Sequence, residues 1–115
     1  MNPKGYVAIL EEDPLIRPLL ERWLGEAGYT VAPRDGASPQ PALVIADVAE
    51  PESAGDYIRV LAQEYAAPIL LLSARFRRGL AGSPEAARRL GVKKVLPKPF
   101  TRKELLAAVR ESIEA

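Results

Sequence analysis

The chain has 115 residues, with 16 basic and 15 acidic side chains and neither cysteine nor histidine. This length suits one domain around one core, and we expect residues 1–115 to form it. The two missing residue types exclude disulfides, thiolate zinc sites and all Ser-His or Cys-His nucleophiles, and the chain cannot itself carry a phosphohistidine.

The first apolar segment, Tyr6–Leu10, is predicted to be a buried strand that leads directly into Glu11, Glu12 and Asp13. A helix should follow, with Asp13 as its N-cap, Pro14 at its first position and Gly28 as its stop. The apolar face of that helix would consist of Ile16, Leu19, Leu20, Trp23 and Ala27.

The middle of the chain contains a weak strand over residues 29–32 and a stronger one over residues 42–46. The segment "RDGASPQP", residues 34–41, joins them without room for a helix, because eight extended residues span at most about 28 Å. A helix is then predicted over Gly55–Tyr65, with an apolar face of Tyr57, Ile58, Leu61 and Tyr65.

The last third of the chain repeats the alternation of strand and helix. Residues 69–72 and 92–96 have strand character, and a helix between them should begin at Ser83-Pro84 and stop at Gly91. A final helix is predicted from Thr101 onwards, with Leu105, Leu106, Val109 and Ile113 turned inward.

The strands are almost continuously apolar, a pattern typical of parallel sheets that are covered on both faces. Strands that alternate with helices favour an open α/β sheet. The longest apolar run, residues 66–72, is far too short to cross a bilayer, and the N-terminus lacks the order of a signal peptide. We therefore expect a cytoplasmic protein with no membrane partner.

The residues that follow each strand are informative, since ligands of open α/β sheets bind at the carboxyl ends of the strands. Glu11 and Glu12 follow the first strand, Asp47 the third, Ser73 the fourth and Lys98 the fifth. Carboxylates brought together without sulfur or imidazole suit a hard cation, above all Mg²⁺. For Glu11 and Glu12 the alternative is that they only complement the dipole of the first helix.

Three short motifs have the same order and spacing as in a known family. They are Asp47-x-x-x-Pro51-x-x-x-Gly55, Ser73-Ala74 after the fourth strand, and Lys98-Pro99-Phe100 before the last helix. With the acids after the first strand, the sequence resembles, over essentially its whole length, the receiver domains of bacterial response regulators in two-component signalling. The resemblance implies a flavodoxin-like (CheY-like) α/β fold: a doubly wound, five-stranded parallel sheet with strand order 2-1-3-4-5. The family's helix between the second and third strands would be missing or reduced.

The resemblance also implies a function. Asp47 would accept a phosphoryl group from a sensor histidine kinase or a phosphotransfer protein, and the chain would not be an enzyme beyond self-phosphorylation and autodephosphorylation. Mg²⁺ would be held by Glu12, Asp47 and the backbone carbonyl of Ala49, with Glu11 acting through water. The family usually has aspartates where this chain has Glu11 and Glu12, and the extra methylene of each puts metal affinity in question.

Further roles follow from the same resemblance. Lys98 would contact one phosphoryl oxygen, and Ser73 would donate a hydrogen bond to another. Val95 stands at the switch position, which is usually aromatic, so that coupling through Ser73 should be weak or take another route. The Lys98-Pro99 bond is expected to be cis.

The charge distribution suggests where a partner binds. Residues 1–72 contain 5 basic and 11 acidic side chains, whereas residues 73–115 contain 11 basic and 4 acidic ones. The basic surface of this second part comprises Arg75, Arg77, Arg78, Arg88, Arg89, Lys93 and Lys94. It could bind an acidic output protein or a second copy of the chain, or simply be solvated; nucleic acid is the less favoured partner.

Three other interpretations are less favoured by the sequence. A degenerate receiver would keep the fold and act as a binding module without phosphorylation. A metal-dependent phosphohydrolase would need an acid two residues after the nucleophile, where this chain has Ala49. A dinucleotide-binding enzyme would need Gly-x-Gly-x-x-Gly after the first strand, which is absent from the sequence.

Overall fold

The computed structural model describes residues 6–11, 13–31, 40–48, 54–73 and 84–114. The elements in these ranges are β1 (Tyr6–Leu10), α1 (Ile16–Glu26), β2 (Thr30–Val31), β3 (Leu43–Asp47), α2 (Gly55–Tyr65), β4 (Ile69–Ser73), α3 (Pro84–Leu90), β5 (Lys94–Pro97) and α4 (Arg102–Glu114). Among them, no helix is both long enough and apolar enough to span a membrane.

The five strands form one parallel sheet in the order β2-β1-β3-β4-β5. This confirms the predicted fold class. Central strands β3 and β4 are buried almost throughout, because helices cover both faces of the sheet. Residues 32–39 lie outside the described part of the chain, so the missing or reduced helix between β2 and β3 stays a prediction.

Two apolar clusters, one on each face of the sheet, hold the helices in place, and alternate strand residues contribute to each. One cluster joins the sheet to α2 and α3 through Val44, Leu71, Val95, Ile58, Leu61 and Ala87. The other joins it to α1 and α4 through Ile9, Ile45, Leu70, Leu20, Leu24, Leu105 and Val109. Burial of these side chains positions the strand ends that carry the site.

Helix α1 begins later than predicted, at Ile16 instead of Pro14. Asp13 nevertheless satisfies donors at its start: its Oδ1 accepts from the N–H of Leu15 at 2.8 Å, and its carbonyl accepts from the N–H of Arg17 at 3.0 Å. The turn over residues 14 and 15 therefore separates the capping aspartate from the first helical residue.

The predicted inward faces need two corrections. Leu19 of α1 and Tyr57 of α2 were expected to be buried but are exposed. In α1 the buried row is Arg17, Leu20 and Leu24, three to four residues apart, which leaves Leu19 at its margin. In α2 the prediction of the helix bounds is confirmed, but only Ile58 and Leu61 are fully buried.

The remaining boundaries differ by a few residues. Strand β2 covers only Thr30–Val31, and β5 covers Lys94–Pro97 where the sequence indicated residues 92–96. Helix α4 starts at Arg102, just after a reciprocal cap in which Thr101 N–H donates to Glu104 Oε1 and Glu104 N–H donates to Thr101 Oγ1.

Candidate functional site

The candidate site lies at the carboxyl edge of the sheet, where Glu11 follows β1, Asp47 and Ser73 end β3 and β4, and Lys98 follows β5. The strand register brings these ends side by side: Leu10 is level with Ala46, Asp47 with Leu72, and Ser73 with Pro97. Parallel pairing thus gathers side chains that are far apart in the sequence.

The ammonium of Lys98 lies between two carboxylates. Its Nζ is 2.6 Å from Asp47 Oδ1 and 2.8 Å from Glu11 Oε2. The exposed fraction of the side chain is 2% for Glu11, 15% for Lys98 and 30% for Asp47. Asp47 is therefore the carboxylate of this trio that solvent and a reactant can reach, whereas Glu11 is enclosed.

Both carboxylate oxygens of Glu11 have donors. Oε2 faces Lys98, and Oε1 accepts from the backbone N–H of Asp13 at 3.0 Å. Glu11 is thus more than a charge at the start of α1, since one of its oxygens contacts Lys98 and the other accepts a hydrogen bond from the backbone of its own loop.

The two carboxylates determine the charge state of the lysine. Burial lowers the pKa of the Lys98 ammonium, but the hydrogen bonds and negative charges of Asp47 and Glu11 outweigh this and raise that pKa above its ordinary value of 10.5. Lys98 is therefore a cation at neutral pH.

The other predicted site residues lie close by. Ser73 is fully buried, and its carbonyl accepts from the backbone N–H of Lys98 at 2.9 Å. The Lys98–Pro99 peptide bond is cis. Val95 is buried in the cluster beneath α2 and α3, with only 1% of the residue exposed.

Glu12 and Ala49, both predicted to hold the metal, lie outside the described residues. Within the described ranges no group of three or more potential metal-ligating side chains occurs. The donor chemistry that is described, two carboxylates at a partly exposed sheet edge, fits a hard cation such as Mg²⁺. A divalent ion here would share Glu11 and Asp47 with the Lys98 ammonium.

One feature beside the site was missed by the sequence reasoning. An apolar cleft of about 390 Å³ opens between α1 and the turn before α4, and it is lined by Ile16, Leu19, Trp23, Lys98, Pro99 and Phe100. The rings of Trp23 and Phe100 meet edge to face, with centroids 6.4 Å apart. Trp23 is thus a fluorescence reporter for the segment that holds Lys98.

Arg17 was also missed. It is buried, and its Nη1 donates to the carbonyl of Ile9 at 2.7 Å. Helical spacing could have predicted its burial, because Arg17 lies three residues before Leu20 and seven before Leu24, on the same face of α1.

Part of the predicted basic surface is described. Arg88, Arg89 and Lys93 are exposed around the end of α3, while Lys94 forms an ion pair with Glu111 of α4 at 2.9 Å. Arg75, Arg77 and Arg78 lie outside the described residues. The three exposed cations lie in α3 and just before β5, which is the edge strand opposite β2.

Several solved structures closely resemble this fold. A response regulator from Thermotoga maritima shares 22% sequence identity at a TM-score of 0.77, with 100% of both chains covered. A response regulator receiver protein from Burkholderia phymatum shares 23% identity at a TM-score of 0.72, with 96% of each chain covered. The receiver domain of a sensor histidine kinase from Pseudomonas aeruginosa PAO1 shares 24% identity at a TM-score of 0.67, over 96% of this chain and 98% of that one, and has a magnesium ion coordinated in its active-site cleft.

Neither a protein-family profile nor a curated protein matches the sequence. The structural likeness nevertheless extends over the whole chain, including the order of the strands. The chain therefore has the CheY-like fold of response regulator receiver domains.

Proposed function

We propose that this chain is a cytoplasmic receiver domain of a two-component phosphorelay, phosphorylated on Asp47 by a sensor histidine kinase or a phosphotransfer protein. The observation that carries the proposal is the Lys98 ammonium, 2.6 Å from the partly exposed Asp47 carboxylate at the carboxyl edge of a receiver-type sheet. A nucleophilic carboxylate beside a fixed cation is what transfer of a phosphoryl group to an aspartate requires.

The transfer itself is a balanced exchange of bonds. A carboxylate oxygen of Asp47 attacks phosphorus, the P–N bond to the donor histidine breaks, and the imidazole leaves with that electron pair and is then protonated. Lys98 loses part of its contact with the Asp47 carboxylate and gains one with a phosphoryl oxygen, so that its charge stays paired. Ser73, at the end of the adjacent strand, supplies a hydroxyl for another phosphoryl oxygen.

Mg²⁺, when bound, would neutralise negative charge on the phosphoryl group in transit. Its ligands would be Glu12, Asp47 and the carbonyl of Ala49, with Glu11 acting through water. Glu11 has one methylene more than the family's usual aspartate, and its Oε2 lies 2.8 Å from Lys98 Nζ. We expect the exchange of aspartate for glutamate to weaken Mg²⁺ binding without abolishing it.

The output would be carried by protein contacts. The basic surface around Arg88, Arg89 and Lys93 is available to an acidic output protein or to a second copy of the chain. Val95 cannot switch between exposed and buried states as an aromatic residue does, so that coupling of phosphorylation to this surface through Ser73 would be weak or would take another route.

The test is incorporation of phosphate from acetyl phosphate with Mg²⁺, followed by intact-protein mass spectrometry. One phosphoryl group should add to the wild type and none to Asp47→Asn. Asp56→Asn is the matched control, because Asp56 is an exposed aspartate at the start of α2 whose ion-pair partner is Arg59 and not Lys98. Incorporation that survives in Asp47→Asn would refute the assignment of Asp47.

A degenerate receiver is the second candidate, and a specific observation favours it. Both oxygens of Glu11 already have donors in the described structure, which leaves this carboxylate less able to serve a metal. That candidate expects no incorporation from acetyl phosphate. It also expects no change in Trp23 fluorescence when Mg²⁺ and beryllofluoride, a mimic of the phosphoryl group, are added together.

A further inference from the structure

Arg17 is a buried cation close to the candidate site that the proposed function does not use. Its Nη1 donates to the carbonyl of Ile9 at 2.7 Å, and its Nε lies 3.4 Å from Glu21 Oε2, one turn further along α1. A guanidinium withdrawn from water needs such partners, and Ile9, two residues before Glu11, is the buried one.

The Ile9 carbonyl faces the β2 side of the sheet. The carbonyl of Tyr6 accepts from the Ala42 N–H, on the β3 side, and successive residues of a strand direct their backbone groups to opposite sides. Ile9, three residues after Tyr6, must therefore face the other way. Within the described residues, β2 pairs only with Tyr6 and Val7, so Arg17 binds β1 beyond the end of that ladder.

The backbone of Arg17 also contacts the loop between β1 and α1, at the end of the loop that leads into α1. The backbone N–H of Arg17 donates to the Asp13 carbonyl at 3.0 Å, and the Asp13 N–H donates to Glu11 Oε1 at 3.0 Å. With the side-chain bond to Ile9, these contacts form a closed ring that runs through Ile9, Glu11, Asp13 and Arg17. Glu11 Oε2, at the edge of this ring, faces Lys98.

We propose that Arg17 is a positioning residue that fixes the Glu11 carboxylate against Lys98, and so sets the charge environment of Asp47. The functional importance of this rests on the proposed function, but the positioning itself does not require phosphorylation. Without the guanidinium, the loop between β1 and α1 loses its anchor on β1, and the carboxylate of Glu11 is no longer confined to one position.

The test is a double-mutant cycle between Glu11 and Lys98, measured by urea unfolding in different Arg17 backgrounds. Glu11→Gln, Lys98→Met and the double variant give the coupling between the two side chains. In Arg17→Met we expect this coupling to fall below about half of its wild-type size, and Arg17→Lys, which keeps a cationic donor, should restore part of it. Coupling of wild-type size in Arg17→Met would overturn the proposal.

Two controls separate positioning from a general loss of stability. Glu21→Gln removes the exposed partner of Arg17 and leaves the Ile9 contact, so that the coupling should be unchanged. Ile58→Ala weakens the cluster on the face of the sheet that α1 does not cover, and should lower stability without lowering the coupling. Equal loss of coupling in Ile58→Ala would show that any destabilisation has this effect, and would also overturn the proposal.

Amide hydrogen exchange in the wild type provides a measurement that needs no variant to fold. If the ring opens as one unit, the amides of Asp13 and Arg17 should have protection factors within about threefold of each other. An Asp13 amide that exchanges about a hundredfold faster than that of Arg17 would overturn the proposal. Neither experiment uses a phosphodonor, so a failure here is distinct from a failure of Asp47 to be phosphorylated.

Discussion

Replacement of Lys98 by methionine removes the cation between Glu11 and Asp47 while keeping a side chain of similar length. Asp47 can turn towards solvent, since 30% of its side chain is exposed. Glu11 cannot, because it is 2% exposed and is held by the Asp13 N–H. The variant therefore leaves a buried carboxylate without its charged partner.

The expected cost follows from this burial. Removal of one member of a fully buried ion pair costs about 3–5 kcal/mol. Here the Asp13 N–H still stabilises the Glu11 carboxylate, and water reaches the remainder of the trio. We therefore expect Lys98→Met to lower the free energy of unfolding by about 2–3 kcal/mol, which a domain of this size can lose and still fold.

Urea denaturation followed by Trp23 fluorescence measures this loss. The matched control is Lys94→Met, because Lys94 also forms an ion pair with a glutamate at 2.9 Å, but the side chains of Lys94 and Glu111 are 33% and 54% exposed. Exposed pairs contribute about 0.2–1 kcal/mol. If Lys98→Met were no more destabilising than Lys94→Met, the view that Lys98 neutralises a buried carboxylate would be refuted.

Three further outcomes are expected. The pKa of Lys98 in the folded protein is raised above 10.5, so the stabilisation by its ammonium is complete below that pH and is lost as the pH rises through the higher folded value. Urea titrations of wild type and Lys98→Met should therefore give a stability difference that is constant near neutrality and shrinks above about pH 10.5. Thr101→Ala removes the acceptor for the Glu104 N–H and should cost about 1 kcal/mol by the same assay, whereas an unchanged midpoint would rule out the cap. Leu71→Ala in the fully buried β4 should lower the free energy of unfolding by about 2–5 kcal/mol, against under about 0.5 kcal/mol for Val60→Ala on the exposed side of α2; similar losses would contradict the described core.

The elements that the sequence predicted best are those with a strong local signal. Strand β1 has the predicted bounds, Tyr6–Leu10, because its apolar run is followed directly by acidic residues. Helix α2 also has the predicted bounds, Gly55–Tyr65, because the helical spacing of its apolar residues ends there. The start of α1 was less well predicted, because Asp13 caps through a turn that its sequence does not distinguish from a helix. Strand β2, with only two residues, carries too little pattern to define its ends.

The placement of individual side chains was harder to predict. Leu19 and Tyr57 are exposed although they are large and apolar, since the faces of α1 and α2 that meet the sheet are narrower than the apolar stripes. Arg17 is buried although it is charged, because a backbone carbonyl of β1 lies within reach of its guanidinium. Hydrophobicity alone cannot reveal such a partner, which belongs to another element.

Local sequence patterns were enough to predict the class of the fold and the types of residue at the sheet edge, because strand and helix patterns are local and parallel strands place their carboxyl ends together. Asp47, Glu11 and Lys98 could be named as neighbours on that ground. The packing of the folded chain settles that Lys98 bridges both carboxylates, that Glu11 is enclosed while Asp47 stays open, and that Arg17 bonds to β1 beside the loop between β1 and α1. These contacts join groups as many as 87 residues apart at 2.6 to 2.8 Å, and such distances are set by the packing of the two apolar clusters and not by any local pattern.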